Sequence, residues 1–437
     1  MEDKFRRIVK YLTDIKTCDL CLIGFYMTVL LVYVIPFNRK WDVWFHWIWI
    51  IWTLALMVWH VIKKKWVKEP ACIVLYLLFG VCALSYVIQQ KGHGIIELKT
   101  LINLLMMIIV FFLSSWRAER IQWKKVFDAI CLLAVGAVFV MNVVSLFVYF
   151  GRSIPGMGFL EPVYTGMLSL PRDYVRPRFF GMHSYPTLAG FNCCTTMILS
   201  GYLYDQKRIK LPVLGVHWVL CIIMTVLGDA RTAYIQIGVI LLYVVHRILV
   251  QKLERRTVNR MELAVLVLAL IAGVISQWNL ITTVFSGNFQ LSQFNQFSSN
   301  RLTLWSIAFS EFLKRPFTGW GFLNNDCVQL YTLGEYDGTH NILISLLLWT
   351  GIPGALLFTV FVIMLVVKVV KQGPVIQKEK TGWLVVLLVC ALIQANLDIM
   401  IIGEFFRITT PFFWLIAGYF MAGQPGNKKS TSSVAEG

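Results

Sequence analysis

Long apolar runs separated by polar stretches fill the chain from residue 20 to residue 421. A helix needs ~20 mostly apolar residues to cross the hydrocarbon core of a bilayer. Runs of that kind fall at 20–35, 43–62, 71–88, 95–113, 126–150 and 184–204, then at 211–227, 230–246, 261–280, 340–367, 383–400 and 405–421. The pattern predicts an all-α polytopic membrane protein with about 12 transmembrane helices, one integral membrane domain over 1–437. Residues 1–19 form a polar lead, and the first apolar run lacks a small-residue cleavage site, so it reads as a retained anchor. Residues 423–437 form a polar tail. Two longer polar segments interrupt the alternation, at 151–183 and 281–339. Within the second, Ser298, Ser299 and Asn300 offer helix caps, Leu302, Trp305, Phe309 and Phe312 recur at helical spacing, and Pro316 and Gly319 end the run. That predicts one short amphipathic helix lying on the membrane face or capping the spans.

Composition sharpens the class. The chain is 58% hydrophobic and 14% charged, against about 45–50% and about 25% in soluble domains. A soluble enzyme, a disordered chain and a disulfide scaffold are thereby excluded. The net charge of +17 first suggests nucleic acid. Its distribution says otherwise. The clusters around Lys4, Lys63–Lys68, Lys124, Lys207, Arg255, Lys371 and Lys428 take 27 of the 40 basic residues, and they occupy every second connection. Basic residues concentrate in cytoplasmic loops, so the expected topology is N-in and C-in, with no nucleic acid as partner. The inner segments then carry +15 and the outer ones +2. Trp41, Trp44, Trp47, Trp49 and Trp52 crowd one end of the second run, as an interfacial belt or packing cluster does. The ten cysteines lie mostly in apolar runs and suggest buried thiols; Cys327 alone falls clearly in an outer loop.

Candidate chemistry sits at the outer rim. Arg231 lies in the tight connection Gly228-Asp229-Ala230-Arg231, where an ionisable group at membrane depth faces a polar cavity or a partner, and Asp229 is a ready partner. Arg301 opens the amphipathic helix, where it can point to a cavity mouth or simply snorkel. His340 opens the tenth run beside Asn341, with Asp337 just upstream. Histidine exchanges protons near neutral pH, although it also serves as a plain helix-start residue. Arg176 and Arg178 belong to the first outer segment, where a solvated loop is the simpler reading. The tenth run contains Gly351-Ile352-Pro353-Gly354, which permits a kink or break in mid-membrane. Phosphate-loop and His-Glu-x-x-His signatures and paired Asp-x-Asp carboxylates do not occur, so no metal and no cofactor is expected.

Four stretches, in order, carry a resemblance. They are Arg178-Phe179-Phe180-Gly181 with Ser184-Tyr185-Pro186-Thr187-Leu188-Ala189; Ala230-Arg231-Thr232-Ala233; Arg301-x-x-x-Trp305-x-x-Ala308 continuing to Arg315-Pro316-Phe317-Thr318-Gly319-Trp320-Gly321; and His340-Asn341 followed by the Gly351–Gly354 break. Together they resemble the bacterial O-antigen polymerase/ligase superfamily (Wzy/WaaL type). Tyr185 and Thr187 replace two asparagines of that pattern, Ala230 a serine, and Arg315 a histidine. The resemblance implies a GT-C-like glycosyltransferase in the bacterial cytoplasmic membrane, acting on its outer face upon undecaprenyl-diphosphate-linked glycans without a metal. Polymerisation of repeat units into O-antigen, capsule or exopolysaccharide is the expected activity, with flippase and chain-length regulator proteins as partners beside membrane lipid. It also implies Arg231, Arg301 and His340 as catalytic residues, with Arg176, Arg178, Asn341 and Asp337 binding substrate. A ligase that moves finished glycan onto an acceptor fits the same stretches. A lipid-linked oligosaccharide flippase or other transporter is the competing class; it would keep its charges at the midplane between repeated halves, and no internal repeat is found. A purely structural scaffold would leave the outer Arg/Arg/His constellation unexplained.

Overall fold

The computed structural model describes residues 70–88, 95–117, 122–150, 170–172, 176–179, 181–183, 186–252, 301–331, 338–397, 402 and 408–421. The apolar runs at 20–35, 43–62 and 261–280, the polar lead, the tail and Asp337 lie outside these residues. Among the described residues the helices are α1 (Pro70–Ile88), α2 (Ile95–Arg117), α3 (Gln122–Tyr149), α4 (Pro186–Asp205), α5 (Leu211–Gly228) and α6 (Arg231–Lys252). After them come α7 (Arg301–Lys314), α8 (Asp326–Tyr331), α9 (Ile342–Lys371), α10 (Gly373–Glu379), α11 (Gly382–Leu397) and α12 (Thr409–Met421). Five of these are long and apolar enough to cross a membrane: α1, α3, α5, α6 and α9. Their outer faces carry exposed Leu77, Leu84, Val216, Val219, Leu242 and Val245, as helices solvated by lipid tails do. The all-α expectation holds with one addition. Leu170–Arg172 (β1) and Arg176–Arg178 (β2) pair as a small antiparallel hairpin, with Pro171 opposite Pro177.

The bundle is organised around α4, which packs against α3, α5, α6, α11 and α12. Almost every residue of α4 is buried, so it faces protein rather than lipid. Its sequence suits that place. A Cβ on Gly190 would come within 2.7 Å of the Ala233 side chain, and one on Gly201 within 2.6 Å of the Trp383 ring, so these glycines set how closely α6 and α11 approach. Thr196 and Ser200 return their hydroxyls to the helix backbone at Asn192 and Met197, and Thr195 bonds Thr409 of α12 at 2.7 Å. Polar atoms in a dry interior are thereby satisfied. A second core forms where α2, α9 and α12 meet. Phe361 stacks on Trp414 at 5.4 Å, Phe111 meets both edge-on, and the Ser114 hydroxyl donates to the Leu415 carbonyl.

One end of the bundle is basic. Lys207, Arg208, Arg247, Lys252, Lys368, Lys371 and Lys380 all sit at helix ends there. Asp128 accepts from Tyr202 Oη at 3.0 Å and from Arg208 Nε at 2.7 Å, Asp205 holds Arg247 at 2.5 Å, and Gln372 Nε2 donates to the Phe420 carbonyl at 2.6 Å. The α5–α6 turn, the start of α9 and the end of α11 lie at the opposite end.

Helix α9 is broken at Gly351, whose backbone (φ 69°, ψ −164°) only glycine adopts comfortably. Pro353 cannot donate to Trp349, so the carbonyls around the break need other partners. Trp320 N–H donates to the Leu348 carbonyl (2.8 Å), Gly321 N–H to that of Trp349 (3.0 Å), and Ile352 N–H to that of Pro316 (2.8 Å). Ser85 Oγ of α1 adds a bond to the Trp349 carbonyl at 2.6 Å. The break is therefore a socket filled by the loop after α7. Its depth differs from the mid-membrane kink expected above. Residues 352–371 cover ~30 Å by helix rise, a full hydrocarbon thickness from the basic end. Segment 342–350 packs beside α7, and counting it as membrane-embedded is what moved the break to mid-span.

Candidate functional site

Two hydrogen bonds join the elements that carry the sequence candidates. Trp305 of α7 donates its indole N–H to the Thr339 carbonyl at 2.9 Å. Arg301 is one turn earlier on the same helix face, where side chains four apart stand ~5–6 Å from each other at Cβ. This brings the start of α7 beside His340. Asn341 Nδ2 donates to the Asn396 carbonyl, in the last turn of α11, at 3.2 Å. Helix α11 runs antiparallel to α6: Gln236 Nε2 bonds the Cys390 carbonyl at 2.8 Å, and Tyr243 packs on Trp383. That register sets Arg231, the first residue of α6, level with Asn396. Arg231, Arg301 and His340 thus stand at one end of the bundle, opposite the basic end.

His340 has a left-handed backbone (φ 51°), uncommon outside glycine. Its neighbours impose it. Buried Thr339 bonds Ser345 Oγ at 2.6 Å and the Asn341 carbonyl at 3.1 Å, while Asn341 Oδ1 caps α9 by accepting from Leu343 N (3.0 Å) and Ile344 N (3.1 Å). A polar side chain held in a strained backbone by an over-determined surround is a common active-site arrangement. Asn341, expected as a substrate ligand, has its oxygen and one amide hydrogen engaged by the fold, so it acts first as a positioning residue. Asn341→Ala is expected to cost about 1 kcal/mol of stability through loss of the cap, read by thermal unfolding in detergent, and to lower transfer beyond that by freeing His340. Asn341→Asp keeps the capping oxygen and should restore most of the stability.

Arg176 and Arg178 lie on β2. The chain after them is pinned to the same end: Phe179 N–H donates to the Leu227 carbonyl at 3.0 Å, four residues before Arg231. Gly181 is left-handed (φ 55°), and Met182 N–H donates to Ser145 Oγ at 2.8 Å. The sequence reading missed His183. It is buried between α3 and α4, with Nε2 on Asn142 Oδ1 at 3.0 Å and Nδ1 on Asn192 Nδ2 at 3.3 Å. An amide oxygen must accept and an amide nitrogen must donate, so the ring is neutral with its proton on Nε2. His183 anchors the segment that carries Arg178 to α5; its only sequence signal is its place just ahead of Pro186, the helix start.

The loop after α7 is dense in side-chain contacts. Trp320 Nε1 donates to the Glu311 carbonyl at 2.9 Å, Trp349 Nε1 to Asn325 Oδ1 at 2.9 Å, and the Arg315 guanidinium lies 4.2 Å from the Trp320 ring centroid. Cys327 is half-buried on α8, and burial, then the Glu311 carboxylate, push its thiol up to about 11. Only the thiolate reacts with alkylating agents. Labelling of Cys327 at pH 8 should therefore run about a hundredfold slower than that of a free thiol and accelerate through pH 10–11. No curated protein is found that matches the chain. Residues 217–359, from the second turn of α5 to just past the break in α9, match the model of the family described as O-antigen ligase; the chain, with Arg231, Arg301 and His340 inside that stretch, carries a domain of the O-antigen polymerase/ligase superfamily.

Proposed function

We propose that this protein is a metal-independent membrane glycosyltransferase of GT-C type with twelve spans, N-in and C-in, polymerising undecaprenyl-diphosphate-linked repeat units on the outer face of the bacterial cytoplasmic membrane. The convergence of Arg231, Arg301 and His340 at the end away from the basic residues carries the reading. In the proposed reaction an acceptor hydroxyl attacks the anomeric carbon of the donor glycan. The bond from that carbon to the diphosphate oxygen breaks, and the hydroxyl proton passes to His340. Arginine suits a diphosphate leaving group because its planar fork stays charged and binds two oxygens at once. Arg231 and Arg301 take that role here. Arg176, Arg178 and Asp337 line the approach, and Asn341 holds the histidine. The product is O-antigen, capsule or exopolysaccharide, and flippase and chain-length regulator proteins work alongside.

The ligase reading also has an observation in its favour, the description of the matching family. Deletion separates the two. Single repeat units accumulating on the lipid carrier identify a polymerase. Long carrier-linked chains left untransferred identify a ligase and reject polymerisation. Elongation of lipid-linked glycan by purified protein in detergent, without a sealed membrane, would reject transport as the sole function.

A further inference from the structure

We propose that the basic end holds a specific site for a phosphate-bearing headgroup, that of an anionic phospholipid in the adjoining leaflet. A cavity of about 300 Å³ opens there between α6, α10 and the start of α11, lined among others by Tyr243, Arg247, Ile376, Gln377, Lys380 and Gly382. It lies at the other end of the bundle from Arg231 and His340, so it is separate from the transfer site.

Two features suit it to an anion with an apolar stem. The first is Arg247. Its Nη1 is bonded to Asp205 at 2.5 Å, and its guanidinium carbon lies 5.9 Å from the Tyr243 ring centroid and 6.0 Å from that of Trp383. One of five guanidinium N–H groups serves the carboxylate, and the rings fix the plane of the remainder at the cavity wall. The second is Lys380. It ends α10 in a left-handed conformation (φ 56°, ψ 38°), with its own N–H on the Gln377 and Ile376 carbonyls and Thr381 N–H on the Ile376 carbonyl at 3.0 Å. A helix end of that geometry calls for glycine. The chain instead carries a lysine, at a conformational cost of ~1 kcal/mol, and this lysine lines the cavity. Ile376, Val250 and Tyr243 supply apolar wall for the glycerol and the first acyl carbons. Basic pockets between helices on the side rich in Lys and Arg are where anionic headgroups bind.

The test uses the full chain purified in detergent, with native mass spectrometry or fluorescence reporting the binding of phosphatidylglycerol and of phosphatidylcholine with identical acyl chains. Phosphatidylglycerol should bind selectively. Lys380→Gly removes the charge while easing the backbone, so it should fold at least as well and weaken binding about fivefold, the effect of one charge at an anionic surface. Lys371→Gln, at the same end but outside the cavity, should leave binding unchanged. Equal binding of the two lipids, or an equal loss in Lys371→Gln, would reduce the site to diffuse surface charge and overturn the proposal. Displacement of the lipid by inorganic phosphate at equal concentration would assign the cavity to free phosphate and overturn the lipid assignment.

Discussion

Replacing His340 with glycine is expected to stop glycan transfer in a protein that inserts and folds at least as well as the parent. The left-handed backbone at His340 costs a side-chain-bearing residue ~1–2 kcal/mol that glycine does not incur. A purely structural histidine should therefore tolerate this change, whereas a proton acceptor cannot. A positioned base contributes about 10²–10⁴-fold, so glycan elongation should fall by at least two orders of magnitude while the unfolding temperature holds or rises. Arg231→Ala and Arg301→Ala should lose a comparable factor through charge left unstabilised on the departing diphosphate, where one well-placed donor is worth about 10²–10³. Arg231→Lys and Arg301→Lys should recover only part of it, because an ammonium cannot present two parallel donors. Chain length on gels, measured with the amount of inserted protein, checks all five. Parent-length polymer from inserted His340→Gly protein would remove the histidine from the reaction.

Hydropathy locates lipid-facing helices well because lipid selects for apolarity on every exposed face. The spans expected at 71–88, 126–150, 211–227 and 230–246 agree with α1, α3, α5 and α6 to within a few residues. It says less about α4, which is enclosed by protein and whose glycines, threonines and serines serve close packing; its sequence looks like a weak span although it holds the bundle together. The β1–β2 hairpin was invisible for another reason. Pro171 and Pro177 face each other in its ladder, and a proline inside a short run reads as a strand breaker. At the site, residue chemistry singled out Arg231, Arg301 and His340, since an isolated cation or imidazole at the rim of an apolar bundle needs a reason. What brings them together is carried by Trp305, Thr339, Asn341 and Asn396, through backbone carbonyls that leave no trace in residue identity. Asn341 was legible as a polar neighbour and turned out to be a helix cap; His183 was overlooked because a lone histidine in a polar loop carries no signal of burial.

Gly351→Ala should detach the loop after α7 from α9 and abolish transfer without touching a reacting group. A Cβ at Gly351 would sit 2.5 Å from the Pro316 carbonyl oxygen and 2.7 Å from the Phe317 carbonyl carbon, both backbone atoms that cannot swing aside. Gly319 is the reciprocal position, its Cβ meeting the Trp349 carbonyl carbon at 2.3 Å. With strain of ~1–3 kcal/mol for a non-glycine backbone in this region added to the clash, the three bonds from Trp320, Gly321 and Ile352 should open. Hydrogen exchange is the direct measurement: those three amides should lose protection, while amides of α3, α4 and α5, which do not depend on the break, keep theirs. Protection retained at all three amides in the Ala variant would mean that the loop does not need glycine and that the socket is not what seats it. The consequence for chemistry follows from connectivity. The socket seats the loop that leaves α7, and α7 carries Arg301 and, through Trp305, holds the backbone at Thr339 beside His340. Releasing the loop frees one arginine and the histidine together, so Gly351→Ala should lose as much transfer as His340→Gly although Gly351 lies outside the reacting site. The double variant should then be no worse than either alone, because both changes remove the same arrangement.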